Sequence, residues 1–254
     1  MPDTLFPMED LPVIAPPAPP EPSRQNRSTA VMQRRAATAD GLDDFPTPPW
    51  AVRALCLELE GRFGSLGRLS VREPAANRGH MVRPLREHFP TVLASDVADY
   101  GAGFPVFDYL DGVGPLQPTD WTITNPPYAM AEAFIERAFA TSRRGVAMLL
   151  RIAFLEGIGR HARLFLPCRP NLVLQFSERV VMQKNRLAPD GSTATAYAWF
   201  VWDLSAPARR SEIDWIGPCR EELEHTDDYP GFQLLVTRTG RRKWMPEAPP
   251  CALT

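Results

Sequence analysis

Strand-like apolar runs alternate with helix-like runs through the middle of this chain, and that rhythm restricts its fold more than any other feature. Leu69–Glu73, Thr91–Ser95, Phe104–Phe107, Trp121–Thr124 and Val146–Leu150 read as strands. Ala51–Leu59 places Val52, Leu55, Cys56 and Leu59 on one helical face. Thr47 is set to cap that helix, with Pro48 as its first residue. Met81–His88 and Ala129–Ala140 read as further helices, the second with Phe134, Ala138 and Phe139 on its apolar side. Apolar strands separated by helices need cover on both faces, which predicts a parallel sheet between helical layers. Leu172–Phe176 and Ala196–Trp202 read as an antiparallel pair. The predicted class is α/β: a mostly parallel Rossmann-like sheet with an antiparallel hairpin near its end.

The 254 residues suffice for one such domain plus an appendage. Eight of the 28 prolines fall within the first 22 residues. Proline withholds backbone donors, so 1–40 reads as a flexible tail. Residues 41–205 hold the alternating pattern, and 206–254 read as a turn-rich extension. No apolar run is long enough to span a membrane. Cys56, Cys168, Cys219 and Cys251 are scattered, as are the four histidines, so no metal site is expected. The expected location is the cytoplasm, and the oligomeric state stays open.

Ligands of open α/β sheets sit beyond the carboxyl ends of the strands. The first predicted strand ends in Glu73-Pro74-Ala75-Ala76-Asn77-Arg78-Gly79, whose small residues let backbone approach a ligand. The second ends in Asp96-Val97, where a carboxylate can grip ribose hydroxyls. Asp108-Tyr109 follows the third. The fourth ends in Asn125-Pro126-Pro127-Tyr128. Its prolines stiffen the turn and free the Pro126 carbonyl to face the crevice. The Asn125 side-chain oxygen and that carbonyl make two acceptors, which suit the two N–H bonds of an exocyclic amino group. Tyr128 can stack on a planar base.

Across about residues 43–202, these motifs resemble the class I S-adenosylmethionine-dependent methyltransferases that act on adenine N6 in DNA. The resemblance assigns Phe45, Thr47 and Pro48 to the segment holding the methionine carboxylate. It assigns Glu73, Pro74, Ala75, Asn77 and Gly79 to the first cofactor motif, and Asp96 and Val97 to ribose and adenine. Asp108 and Tyr109 would meet the cofactor adenine, and Asn125 to Tyr128 would form the catalytic turn, with Asn125 also beside the cofactor. The motif order is gamma-like, and the runs 149–156, 176–180 and 197–202 resemble small phage and prophage members. The chain departs from the family in carrying Asn77 where glycine is usual, and in lacking a large target-recognition domain. Asparagine tolerates positive φ better than other non-glycine residues.

The expected reaction is methyl transfer to a flipped adenine, with Phe176 as candidate for the second face of the base. Between residues 141 and 187, nine basic residues stand against Glu156 and Glu178 only. Arg151, Arg179, Lys184 and Arg186 are the candidate DNA contacts there, with Arg151 open to an internal ion pair instead. Arg238, Arg241, Arg242 and Lys243, followed by Trp244, read as a solvated tail, with a DNA clamp as the other reading. Other acceptors that suit an Asn-Pro-Pro-Tyr turn are RNA bases and a protein glutamine amide. A methyltransferase-like binding module without turnover is the reading from another class.

Overall fold

The computed structural model describes residues 43–111, 116–187, 189–191, 193–237, 240 and 242–246. The predicted tail 1–40 lies outside them. Helix α1 (Pro49–Phe63) leads to strand β1 (Ser70–Glu73), helix α2 (Val82–His88) and strand β2 (Thr91–Ala94). Then come β3 (Thr119–Thr124), α3 (Ala131–Thr141), β4 (Ser142–Arg151), β5 (Leu172–Phe176), β6 (Tyr197–Asp203) and β7 (Glu212–Ile216). A hairpin of β8 (Phe232–Val236) and β9 (Arg242–Pro246) closes the order.

The first seven strands form one sheet in the order β2-β1-β3-β4-β6-β5-β7. Only β6 runs against its neighbours. This is the Rossmann-like architecture expected from the sequence. Side chains alternate across it. Ala147 and Leu149 of β4, with Trp199 and Val201 of β6, face the core layer shared with Trp50, Leu55 and Leu85. Val146, Met148 and Leu150, with Phe200 and Trp202, face the layer shared with Phe134, Ile135 and Ala138 of α3. Both faces are covered, which is why these strands are apolar throughout. At Gly145 any side chain would run into the Trp121 indole, so the close approach of β3 and β4 requires glycine there.

Three sequence expectations change. Phe104–Phe107 is no strand; a single bridge joins Val106 to Asp96. Pro105 has no N–H for a ladder, and the run is short and edge-lying. Helix α1 starts at Pro49, with Pro48 outside it and no side-chain cap. Thr47 faces the crevice instead. Finally, the turn-rich stretch after residue 205 contains β7, which pairs in parallel with β5 and completes the sheet.

The stretch after β7 is tied to α1 by charge. Arg53 donates to Glu87 Oε2 and Oε1 at 2.7 and 2.8 Å, to Asp228 Oδ2 and Oδ1 at 2.7 and 2.9 Å, and to the Leu223 carbonyl at 2.8 Å. Trp244 is buried rather than in a solvated tail. Its indole N–H donates to Glu224 Oε2 at 2.9 Å, and the Tyr229 hydroxyl donates to Oε1 at 2.6 Å. That carboxylate lets both aromatic rings be buried with their polar atoms satisfied. Arg242 and Lys243 belong to β9, while Arg238 and Arg241 lie outside the described residues.

Candidate active site

The strand order reverses direction between β1 and β3, which pair in parallel through Val71–Trp121 and Arg72–Thr122. A crevice opens there beyond the carboxyl ends of the two strands. The Thr124 hydroxyl donates to Glu73 Oε1 at 2.6 Å, and the Ala75 N–H donates to the same oxygen at 2.9 Å. Glu73 is fully buried, and Oε2 has no partner. Burial pushes its carboxyl up to about 8, against the two hydrogen bonds and with help from nearby Asp96.

Pro74 and Ala75 begin the turn from β1 towards α2. Asn77 takes the left-handed conformation there, at φ 49°. Its N–H donates to Asp96 Oδ2 at 2.8 Å, and its Nδ2 donates to Asp44 Oδ1 at 2.7 Å. Arg78 reaches Asp44 Oδ2, also at 2.7 Å. Asparagine thus supplies the backbone shape of glycine and adds a tether to the segment before α1. Gly79 follows at φ 85°, against the Phe104 ring. Asp96 is buried, and its Oδ1 accepts from Ala98 N at 3.1 Å. Val97 is half-buried beside it. Asp108 is half-buried and turns the chain by accepting from Leu110 N at 2.9 Å.

Asn125 is the centre of the arrangement. Its Nδ2 donates to the Phe45 carbonyl and to Thr47 Oγ1, both at 3.0 Å. The sulfur of Met182 lies 3.5 Å away. A backbone carbonyl can only accept, so these contacts fix which way the amide points. Oδ1 is left buried without a donor. Among the described residues nothing donates to the Pro126 carbonyl, whereas that of Pro127 accepts from Met130 N at 2.8 Å. Two acceptors of consecutive residues are therefore left without a donor among the described residues.

Tyr128 follows, half-buried. Its hydroxyl donates to the Tyr197 hydroxyl at 3.1 Å, and the two rings stack with centroids 6.3 Å apart. Phe45 lies tilted against it at 5.8 Å. The exposed Arg151 guanidinium sits over the Tyr128 ring, 4.3 Å from its centroid, and pairs with no carboxylate among the described residues. Burial, and then the bond to Tyr197, raise the Tyr128 hydroxyl well above the ordinary phenol range and keep it neutral.

Two predicted site residues point elsewhere. The Tyr109 ring is buried against Phe134, 5.3 Å between centroids, with its hydroxyl 3.0 Å from Thr141 Oγ1 at the end of α3 remote from Tyr128. Phe176 packs edge-on against Trp50 at 5.5 Å in the core layer, although with Arg179 and Tyr197 it also lines a cavity. The register of β5 sets which layer Phe176 joins, and register is not written in a single strand; Tyr109 lies in a turn, where packing against α3 alone decides its direction. Conversely, Asp44, Met182 and Tyr197 reach the crevice without having been singled out. The acid before Phe45 was the one sequence signal among them.

The basic stretch divides. Arg143 and Arg144 stand at the start of β4, at the opposite edge of the sheet from the crevice. Arg160 and Arg163 pair with Glu132 of α3 at 3.3 and 3.0 Å. Arg151, Arg179, Lys184 and Arg186 remain exposed on the crevice edge or the loop after β5. That loop is anchored by Asn185 N, which donates to the Asp44 carbonyl at 2.8 Å.

No known family pattern matches the sequence, and no curated protein does. Some solved structures are similar over part of the chain at low identity. A candidate modification subunit of a type I restriction enzyme from Vibrio vulnificus YJ016 is 18% identical, with a TM-score of 0.46, over 74% of this chain and 50% of that one. The type I restriction-modification methyltransferase subunit from Streptococcus thermophilus is 12% identical, with a TM-score of 0.48, over 73% of this chain and 50% of that one. The magnesium protoporphyrin IX methyltransferase from Synechocystis PCC 6803, solved with bound SAM, is 15% identical, with a TM-score of 0.42, over 61% of this chain and 79% of that one. The chain thus spans half the length of each restriction-system subunit it resembles in fold.

Proposed function

We propose that this protein transfers a methyl group from S-adenosylmethionine to the N6 amino group of adenine in DNA. One observation carries the reading: Asn125 Oδ1 is buried without a donor, held by an amide whose nitrogen is already committed to Phe45 and Thr47. A buried acceptor left unmatched costs stability, and its natural complement is an N–H group.

The crevice residues fit the cofactor. Glu73 Oε2 is a second buried oxygen without a donor, at the end of the adjacent strand. The left-handed turn at Asn77 lets backbone approach a ligand beside Asp96. Asp108 offers a half-buried carboxylate further along. When bound, S-adenosylmethionine supplies an electrophilic methyl group on a positively charged sulfur.

Asn125 Oδ1 and the Pro126 carbonyl would each accept one N–H of the target amino group. Those bonds draw the nitrogen lone pair out of the ring system and towards the methyl group. They also offset the positive charge that grows on nitrogen during transfer. The face of Tyr128 would hold the base, with Arg151 moving off it. The base must leave the duplex to arrive there.

The test uses unmethylated DNA with labelled cofactor, followed by digestion and mass spectrometry of the nucleosides. N6-methyl-2′-deoxyadenosine is the expected product. Asn125→Ala should lower turnover by about 10²-fold or more while cofactor binding by calorimetry persists. RNA and protein are offered in parallel reactions, and label found only in RNA or in protein glutamine would replace the DNA reading. DNA binding without any turnover would replace catalysis altogether.

A further inference from the structure

We infer that Ile158 is an apolar wedge that enters the base stack of duplex DNA beside the flipped adenine. This rests on the reading of the chain as a DNA methyltransferase.

Ile158 is 93% exposed, although isoleucine is among the residues most often found inside proteins. It does not sit on a loose loop. Gly157 turns the chain at φ 117°, and its carbonyl accepts from His161 N at 2.9 Å. Arg160 folds back beneath the turn and donates to the Phe154 and Glu156 carbonyls at 2.9 and 2.6 Å. Its guanidinium also lies over the Phe154 ring, 4.0 Å from the centroid. Glu132 holds the same turn from the side, through Arg160 and Arg163. The result is an isoleucine presented to solvent on a braced support, with partly exposed Leu155 next to it.

The position matters as much as the exposure. The turn begins seven residues after Arg151, whose guanidinium covers Tyr128, and it is fastened to Glu132, four residues after Tyr128. The turn follows the carboxyl end of β4, which runs parallel to β3, so it stands on the end of the sheet where the crevice opens. The largely exposed Arg163, paired with Glu132, adjoins Gly159 beside the tip, and exposed Glu156 precedes it. With Arg151, Arg179, Lys184 and Arg186 exposed on or near the same end of the sheet, phosphates would be held by those cations while the apolar tip meets the stacked bases. Aliphatic wedges that separate base steps work in this way. Once adenine leaves the stack, Ile158 would fill the space and oppose its return.

The test compares one oligonucleotide as duplex and as single strand, with steady-state methylation by the wild type, Ile158→Ala and Ile158→Met. A wedge is needed only where there is a stack to open. Ile158→Ala should lower kcat/KM on the duplex by about tenfold and on the single strand by less than about twofold, with Ile158→Met restoring most of the loss. A duplex carrying 2-aminopurine at the target should show less fluorescence gain with Ile158→Ala than with the wild type. Equal effects on duplex and single strand, or no effect on either, would overturn the wedge and leave the methyltransferase reading intact. A wild type that methylates neither DNA form would overturn that reading, and the wedge with it.

Discussion

The Thr124 hydroxyl donates to Glu73 Oε1 at 2.6 Å, closing the end of β3 onto the end of β1 where the sheet order reverses. The bond ties the strand that leads into the Asn125–Tyr128 turn to the strand that leads into the Glu73–Gly79 turn, the two turns proposed for catalysis and cofactor binding. It also leaves a fully buried carboxyl with one oxygen unmatched.

That carboxyl makes stability depend on pH. Unfolded, Glu73 ionises near 4.5; folded, burial pushes it up to about 8. Between those values the folded chain binds the extra proton. The contribution to stability is therefore full below the unfolded value and is lost as pH rises through 8. Glu73→Gln cannot ionise, so its Tm should fall less than that of the wild type between about pH 6 and pH 9. Thermal melts at several pH values read this directly, and parallel curves would contradict it.

Asn77 should tolerate glycine better than alanine. Its φ of 49° is open to glycine and strained for alanine, and either change removes the bond to Asp44. Alanine should cost about 2–3 kcal/mol and glycine about 1 kcal/mol, from the left-handed penalty and the lost bond. Urea denaturation of both variants checks the order; equal losses would mean that the side-chain bond alone matters.

Breaking the Arg53 cluster should unsettle the chain's C-terminal part. Asp228 is fully buried and receives two of the Arg53 bonds. Arg53→Ala would leave that carboxylate only the His225 N–H at 2.9 Å and the Arg83 guanidinium at 3.9 Å, and should cost about 3 kcal/mol, the low end for a broken buried pair. Hydrogen exchange should show residues 220–246 losing protection first, because their tie to α1 runs through Arg53, Leu223 and Asp228.

DNA affinity should depend on which edge of the sheet a cation occupies. Replacing Arg151, Lys184 and Arg186 by alanine should reduce the salt slope of DNA binding by about 3. Replacing Arg143 and Arg144, at the far end of β4, should leave it unchanged. Fluorescence anisotropy across a salt series measures both, and equal effects would place DNA elsewhere.

The sequence by itself determined the layered sheet, because Val146–Leu150 of β4 and Tyr197–Trp202 of β6 are consecutive apolar residues that can be buried only between two helical layers. It also marked Asn125 to Tyr128 as a local stretch of stiff backbone with one amide, the turn proposed for catalysis. The alternation of Glu212, Ile213, Asp214, Trp215 and Ile216 carried the period of β7, but its place at the sheet edge came from pairing with distant β5. Only the tertiary structure decided that Asp44 meets Asn77, that Thr47 serves Asn125 rather than a helix cap, and that Tyr109 and Phe176 join the core. It alone separated Arg151 from Arg143 and Arg144, which stand at opposite ends of one strand. Local pattern specifies which faces of a segment are apolar. Which segments meet at a strand end depends on sheet order and register, and those are settled by packing between residues far apart in the chain.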